Sequence, residues 1–137
     1  MSVSRSIRDT FLHFLADNLT MPVHNIRRDP TDPSADEIRA NAVNVTFLVY
    51  NPTNAIGTQT VIVDVINDDE LVATEWLQNV YDILSAAFMT PRLDYTDPTN
   101  PVSTSTNLYW SRDSVRFTPV SSDFYTRYSL MMPIHFH

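Results

Sequence analysis

Along residues 4–19, Ile7, Phe11, Phe14, Leu15 and Leu19 fall on one stripe at a spacing of about 3.6 residues, which predicts an amphipathic helix. Ser6, followed three residues later by Asp9, is a candidate capping pair, and Pro22 stands just past the end. The period then vanishes. "NIRRDPTDPSADEIR" at 25–39 is polar, charged and twice interrupted by proline, so it reads as a loop, with room for one short helical turn at 36–39. From 42 to 50, "AVNVTFLVY" alternates: Val43, Val45, Phe47 and Val49 share one face, and Asn44, Thr46, Leu48 and Tyr50 the other. "TQTVIVDVI" at 58–66 repeats the alternation, with Val61, Val63 and Val65 set against Ile62, Asp64 and Ile66. Two such runs joined by the turn-rich "NPTNAIG" predict a β-hairpin.

At "NDDEL" the period switches back to that of a helix. Asn67 is a candidate N-cap with Glu70 at the third helical position, and Asp68, Asp69 and Glu70 oppose the positive end of the helix dipole. Ala73, Leu77, Val80, Leu84 and Phe88 form the core stripe, widened by Trp76 and Tyr81, and Pro91 is expected to end the helix. Residues 91–104 are polar and contain proline, so they read as a long loop. "STNLYWSRDSVRFTPV" predicts a second hairpin turning at Arg112-Asp113-Ser114. A strand from about Phe124 to Met132 follows, with Phe124, Thr126, Tyr128, Leu130 and Met132 on one face. The expected fold is a single α+β domain over residues 1–137. It has a mostly antiparallel sheet of about five strands and two main helices packed on one face.

Composition narrows the function. At 137 residues the chain can bury roughly two-thirds of its unfolded surface, enough for a core without staples. It has no cysteine, which excludes a disulfide framework and a thiolate metal site. One glycine, Gly57, excludes phosphate loops and dinucleotide fingerprints, which need several. The net charge of −7 argues against a grip on DNA or RNA. All nine basic residues are arginine, the side chain best suited to pairing carboxylates at interfaces, although compositional bias explains this equally well. "MSVSRSIRDTFLHFL" is broken by Arg5, Arg8, Asp9 and His13, unlike the apolar core of a signal peptide. No run approaches the ~20 apolar residues of a membrane span, so the chain is expected to be soluble in the cytoplasm where it is made.

Candidate chemistry is thin. "DPTD" at 29–32, "NPTN" at 51–54 and "DPTN" at 97–100 lie between elements at uneven spacing. An Asx side chain accepts from the backbone while proline presets φ, so turn formation explains them better than metal binding does. His135 and His137 would share a strand face, but the pattern supplies no third metal ligand; His13 fits an amphipathic helix. Capping accounts for Asp68, Asp69 and Glu70. Asp64, set among valines, is expected to pair with an arginine or face solvent. The serines lack a Gly-x-Ser-x-Gly elbow, and cysteine and lysine nucleophiles are absent. Catalytic, cofactor and metal residues are therefore expected to be none.

Taken together, the helix "SIRDTFLHFLADNL", the loop "HNIRRDPTDPSADEIR", the hairpin "VNVTFLVY…TVIVDVI", the helix "DDELVATEWLQNVYDILSAAF", the Trp-containing "NLYWSRDSVRF" and a last long strand resemble the tail terminator proteins of tailed bacteriophages. These are small neck components that cap the tail tube. The resemblance implies a six-fold ring without cofactor, touching the tail tube protein on one side and the head connector or stopper on the other. It places the protein in the virion neck after assembly in the host cytoplasm. An acidic chain suits a lumen through which DNA slides without adhering. Alternatives are another neck or head-completion connector or, from a different class, a small-ligand-binding or enzymatic α+β domain. The candidate contacts to subunits or partners are Arg27, Arg28, Asp29 and Asp32 in the charged loop, Arg92, Arg127, and Met131, Met132, His135 and Phe136 in the apolar run "YSLMMPIHFH".

Overall fold

The computed structural model describes residues 3–26, 38–48 and 57–136. Its elements are helix α1 (Val3–Asn18), strands β1 (Val23–Asn25), β2 (Ala42–Phe47) and β3 (Thr58–Asn67), and helix α2 (Glu70–Ala86). Strands β4 (Met89–Asp94) and β5 (Val102–Tyr109), a 3-10 turn (Arg112–Ser114), and strands β6 (Thr118–Val120) and β7 (Thr126–Phe136) complete them. The fold is α+β, as expected, but the sheet has seven strands rather than five. Its order is β1-β2-β3-β7-β5-β4, with β6 also on β7. β1 runs parallel to β2, and the other described pairs are antiparallel.

The valine alternation builds the centre. Val43 pairs with Val65, Val45 with Val63 and Phe47 with Val61, and β7 continues the same face through Leu130 and Met132. Onto this face pack Ile7, Phe11 and Leu15 of α1 and Val80 and Leu84 of α2, all essentially inaccessible to water. Both helices therefore lie on one face of the sheet. Truncating any of these larger side chains to alanine costs about 2–5 kcal/mol, through lost transfer energy and the cavity left behind. The reverse face of β2 and β3 is also buried, at Ala42, Asn44, Thr46, Ile62, Asp64 and Ile66. Of its polar groups, Thr46 Oγ1 has no hydrogen-bond partner among the described residues, whereas Asn44 is matched locally. Asn44 Oδ1 accepts from the Arg39 amide and its Nδ2 donates to the Arg39 carbonyl, both at 2.9 Å.

α1 does more than cover the core. It begins at Val3, so Ser6 lies inside the helix and is not its cap. Ser6 Oγ instead donates to the Leu93 carbonyl of β4 at 2.6 Å, and the Leu93 amide donates to Thr10 Oγ1 at 2.9 Å. Tyr95 Oη adds a bond to the Asp9 carbonyl at 3.2 Å. The sheet curls so that its last strand in the order, β4, meets α1 here. Backbone groups that would otherwise form an open edge are occupied.

Three further expectations are corrected. The cap of α2 is Asp69, whose Oδ1 accepts from the Leu71 and Val72 amides, while Asn67 ends β3 and braces the cap by accepting from the Asp69 amide at 2.8 Å. α2 stops at Ala86, and Pro91 lies within β4, where an edge strand tolerates the missing donor. The expected loop 91–104 thus contains most of β4 and the start of β5. Nor do residues 105–120 form a hairpin: β5 pairs with β4 and β7, and β6 reaches past it to pair with β7. The link between β4 and β5 confirms the turn reading of "DPTN". Asp97 Oδ1 accepts from the Thr99 amide and hydroxyl, and the Asn100 amide donates to the Asp97 carbonyl at 3.1 Å. The copies at 29–32 and 51–54 lie outside the described residues, as do residues 36–37 of the possible turn, whose Ile38 and Arg39 are not helical, and all of the hairpin connection at 51–56. At the far end of that connection, Gly57 has φ +40° and its carbonyl accepts from the Phe136 amide at 2.7 Å.

Candidate interaction surfaces

Two differently charged surfaces sit at opposite ends of α2. The first is built on Trp110. This residue is 3% exposed, and its indole Nε1 donates to the Leu84 carbonyl at 2.7 Å. Carbonyls in the last helical turn lack intrahelical partners, so the indole acts as a C-terminal cap. Phe11 and Phe14 pack against the ring at centroid distances of 5.9 and 5.4 Å. With the Trp110 amide bonded to the Phe88 carbonyl at 3.0 Å, the chain leaves the core directly beside the end of α2. Ser111 then caps the 3-10 turn by accepting from the Asp113 amide, and Arg116 Nε donates to the Asp113 carbonyl at 3.0 Å.

The result is an open groove. One wall is Leu77, Gln78 and Tyr81 of α2; the other is Arg112, Asp113, Val115, Arg116 and Phe117, so one carboxylate stands among the two arginines. A second cleft adjoins it between Phe88, Trp110 and Arg112. Arg112 stacks over the Phe88 ring at 5.1 Å from its centroid. Among the described residues, neither Arg112 nor Arg116 forms an ion pair. Tyr81 and Phe88, expected in the core, are 44% and 46% exposed: Tyr81 lies beside the stripe that buries Ala73, Val80 and Leu84, and Phe88 follows the end of the helix at Ala86. Exposed Met89 lies next to Phe88. Aromatic, methionine and arginine side chains together are the composition of interface centres.

The second surface is at the start of α2. The pairing of Asn67 with Thr126 brings residues 68–71 and 123–125 to one end of the sheet. Asn41, at φ +58°, ties in there: its side chain donates to Asp68 Oδ2 and accepts from the Asp68 amide. The acidic residues Asp68, Asp69, Glu70 and Asp123 are exposed, and between them stand Leu71 and Phe124, 81% and 86% exposed.

The residues predicted as contacts divide. Arg27, Arg28, Asp29 and Asp32 lie outside the described residues. Arg92 is half-buried in β4, and its Nε has no hydrogen-bond partner among the described residues. Arg127 donates from Nε to Asp64 Oδ1 at 3.1 Å, with Asp64 wholly buried. That meets the expectation of an arginine partner for Asp64 and ties Arg127 into the fold. Met132 is buried among the core residues and offers no surface to a partner, because it lies on the inward face of β7; Met131, one residue earlier, faces out at 63% exposure. His135 is half-buried and stacked on Tyr109 at 5.3 Å, with Nδ1 3.3 Å from Thr58 Oγ1. Phe136 packs half-buried against the core. Among the described residues, the predicted contacts therefore do not form one patch. His137 lies outside the described residues, and His13 makes an exposed i,i+4 pair with Asp17 at 2.8 Å.

Three ionisable groups at the β4–β5 link are shifted. Hydrogen bonds from the Thr96 hydroxyl and amide hold Asp94 below its ordinary 3.8, and those from Thr99 do the same for Asp97. Burial, with the charge of Asp9, pushes Tyr95 up. Among the described residues no three His, Asp or Glu side chains are placed to hold a metal ion, and no helix is long and apolar enough to cross a membrane. No protein-family model matches the sequence, and comparison with the curated proteins finds none similar to it.

Proposed function

We propose that the chain is a structural subunit of a tailed-phage virion. In this reading it forms a ring at the head–tail neck that terminates the tail tube and joins it to the head connector. The element order and the quoted segments supply the resemblance. The observation that carries the reading is the groove at the end of α2, where Tyr81, Phe88 and Met89 stand exposed beside Arg112 and Arg116. A free-standing subunit gains nothing from exposing such a patch, whereas an assembling one uses it. The same groove could take a small ligand, and that outcome is part of the test.

The test is imaging of the purified chain, alone and with its tail tube protein. Six-fold rings under negative stain are expected, at least in the presence of tube protein. Antibody labelling should place the chain at the neck of intact particles. A strict monomer under every condition, or a small molecule retained in the groove, overturns the reading. Mobility shifts at low salt should show no DNA binding, because the net charge repels phosphates.

A further inference from the structure

We infer that the aromatic–arginine groove at one end of α2 receives the acidic, apolar start of α2 from a second copy of this chain, so that subunits join head to tail. The inference rests on the assembly reading and assigns its surfaces. The groove wall at Leu77 and Tyr81 lies about 10–16 Å along the helix from Glu70, and the two sites are complementary rather than alike. Arg112 and Arg116 outnumber Asp113 on one; Glu70 and Asp123, in company with Asp68 and Asp69, stand on the other. A two-fold dimer through the start would set carboxylate against carboxylate, and one through the groove would have only Asp113 of each copy to meet two arginines. The end-to-start contact brings the most opposite charge together, and such heterologous contacts are the ones that build rings.

Each end also carries what the other lacks. Leu71 and Phe124 project almost fully into solvent without a cavity to enter, while the groove and its adjoining cleft have aromatic walls. Apolar side chains seated there would leave their flanking carboxylates at the rim, within reach of guanidinium groups suited to bidentate pairing. In a chain of net charge −7, copies repel one another over most of their surface, so a local pair of arginines selects the orientation of approach.

The test is charge reversal at exposed positions, followed by light scattering over a range of protein concentrations. The groove variant is Arg112→Glu with Arg116→Glu; the start variant is Glu70→Arg with Asp123→Arg. Each should keep the wild-type near-ultraviolet dichroism and melt only slightly lower, Glu70 giving up its favourable place at the helix start and the arginines their local contacts, yet need about tenfold or more protein to assemble. Joining all four reversals in one chain should restore assembly. Leu71→Ser, at a position with no core contact to lose, should weaken assembly without touching any charge. If the wild type assembles and the reversals do so equally well, or the four-fold variant stays monomeric, the interface lies elsewhere: this inference falls and the assembly reading stands. A wild type that stays monomeric even with tube protein removes both.

Discussion

Arg127 on β7 reaches across to β3 and donates from Nε to Asp64 Oδ1 at 3.1 Å, where Asp64 has no exposure to solvent. A buried carboxylate deprived of a charged partner is far more costly than the pair is worth. Arg127→Met should therefore destabilise the chain by about 3 kcal/mol, lowering the melting temperature by about 10 °C. Asp64→Leu combined with Arg127→Met should recover most of the loss. A single variant as stable as wild type would mean that Arg127 contributes little to holding the carboxylate.

Trp110 joins two roles, filling the core and capping α2. Trp110→Phe keeps the packing but leaves the Leu84 carbonyl without its indole donor, at a cost of about 1–3 kcal/mol. Trp110→Ala should cost about 3–5 kcal/mol. Chemical denaturation separates them, with Trp76 remaining as the fluorescent probe. Equal losses in the two variants would show that the hydrogen bond, not the volume, dominates.

Gly57, the one glycine in the chain, has positive φ, and a Cβ there would run into the Phe136 carbonyl oxygen. Gly57→Ala should separate the start of β3 from the end of β7 and melt well below wild type. Hydrogen exchange should then quicken at the Phe136 amide before it quickens at the centre of β7. Unchanged protection of that amide would show that the backbones can shift apart freely.

The pH dependence of the β4–β5 link has a definite sign. Asp94 and Asp97 sit below their ordinary 3.8 in the folded chain, because threonine hydroxyls and amides bond the charged form. Their contribution is present above 3.8 and is lost as pH falls through the lower folded values. Carboxyl carbon shifts followed by NMR should show both titrating below 3.8. The stability gap between wild type and a variant carrying Asp94→Ala and Asp97→Ala should be constant near neutrality and close in acid. A gap that widens on acidification would reverse the assignment.

The parts of the fold readable from sequence are those where burial writes a period. Val43, Val45, Val61, Val63 and Val65 alternate because one face of the hairpin meets two helices, and Ile7, Phe11 and Leu15 recur because α1 meets that face. β4 and the start of β5 were hidden because half-exposed Thr, Ser and Arg carry no such alternation, and Pro91 suggested a helix stop. β6 was joined to the wrong strand because pairing with β7 depends on the route taken past the 3-10 turn, which local residues do not encode. The groove was missed for a related reason. Tyr81 borders the helical stripe and Phe88 follows its end, and a stripe alone cannot tell where its cover ends. Arg112 and Arg116 stood in the expected hairpin and drew no notice. The acidic start of α2 was visible, but as capping alone.

Helix α1 completes its hydrogen bonding only with Leu93, more than eighty positions further along the chain. During synthesis the helix can coil early, yet Ser6 and Thr10 have to wait for β4 to emerge. Contacts of such separation slow folding, because a long loop must close before they repay its entropy. Until then the nascent chain carries an apolar helix face and an incomplete sheet, the state in which chaperones bind and neighbouring chains mispair. The stitch at Leu93 thus makes the chain a late closer, with α1 made long before the strand that helps to secure it.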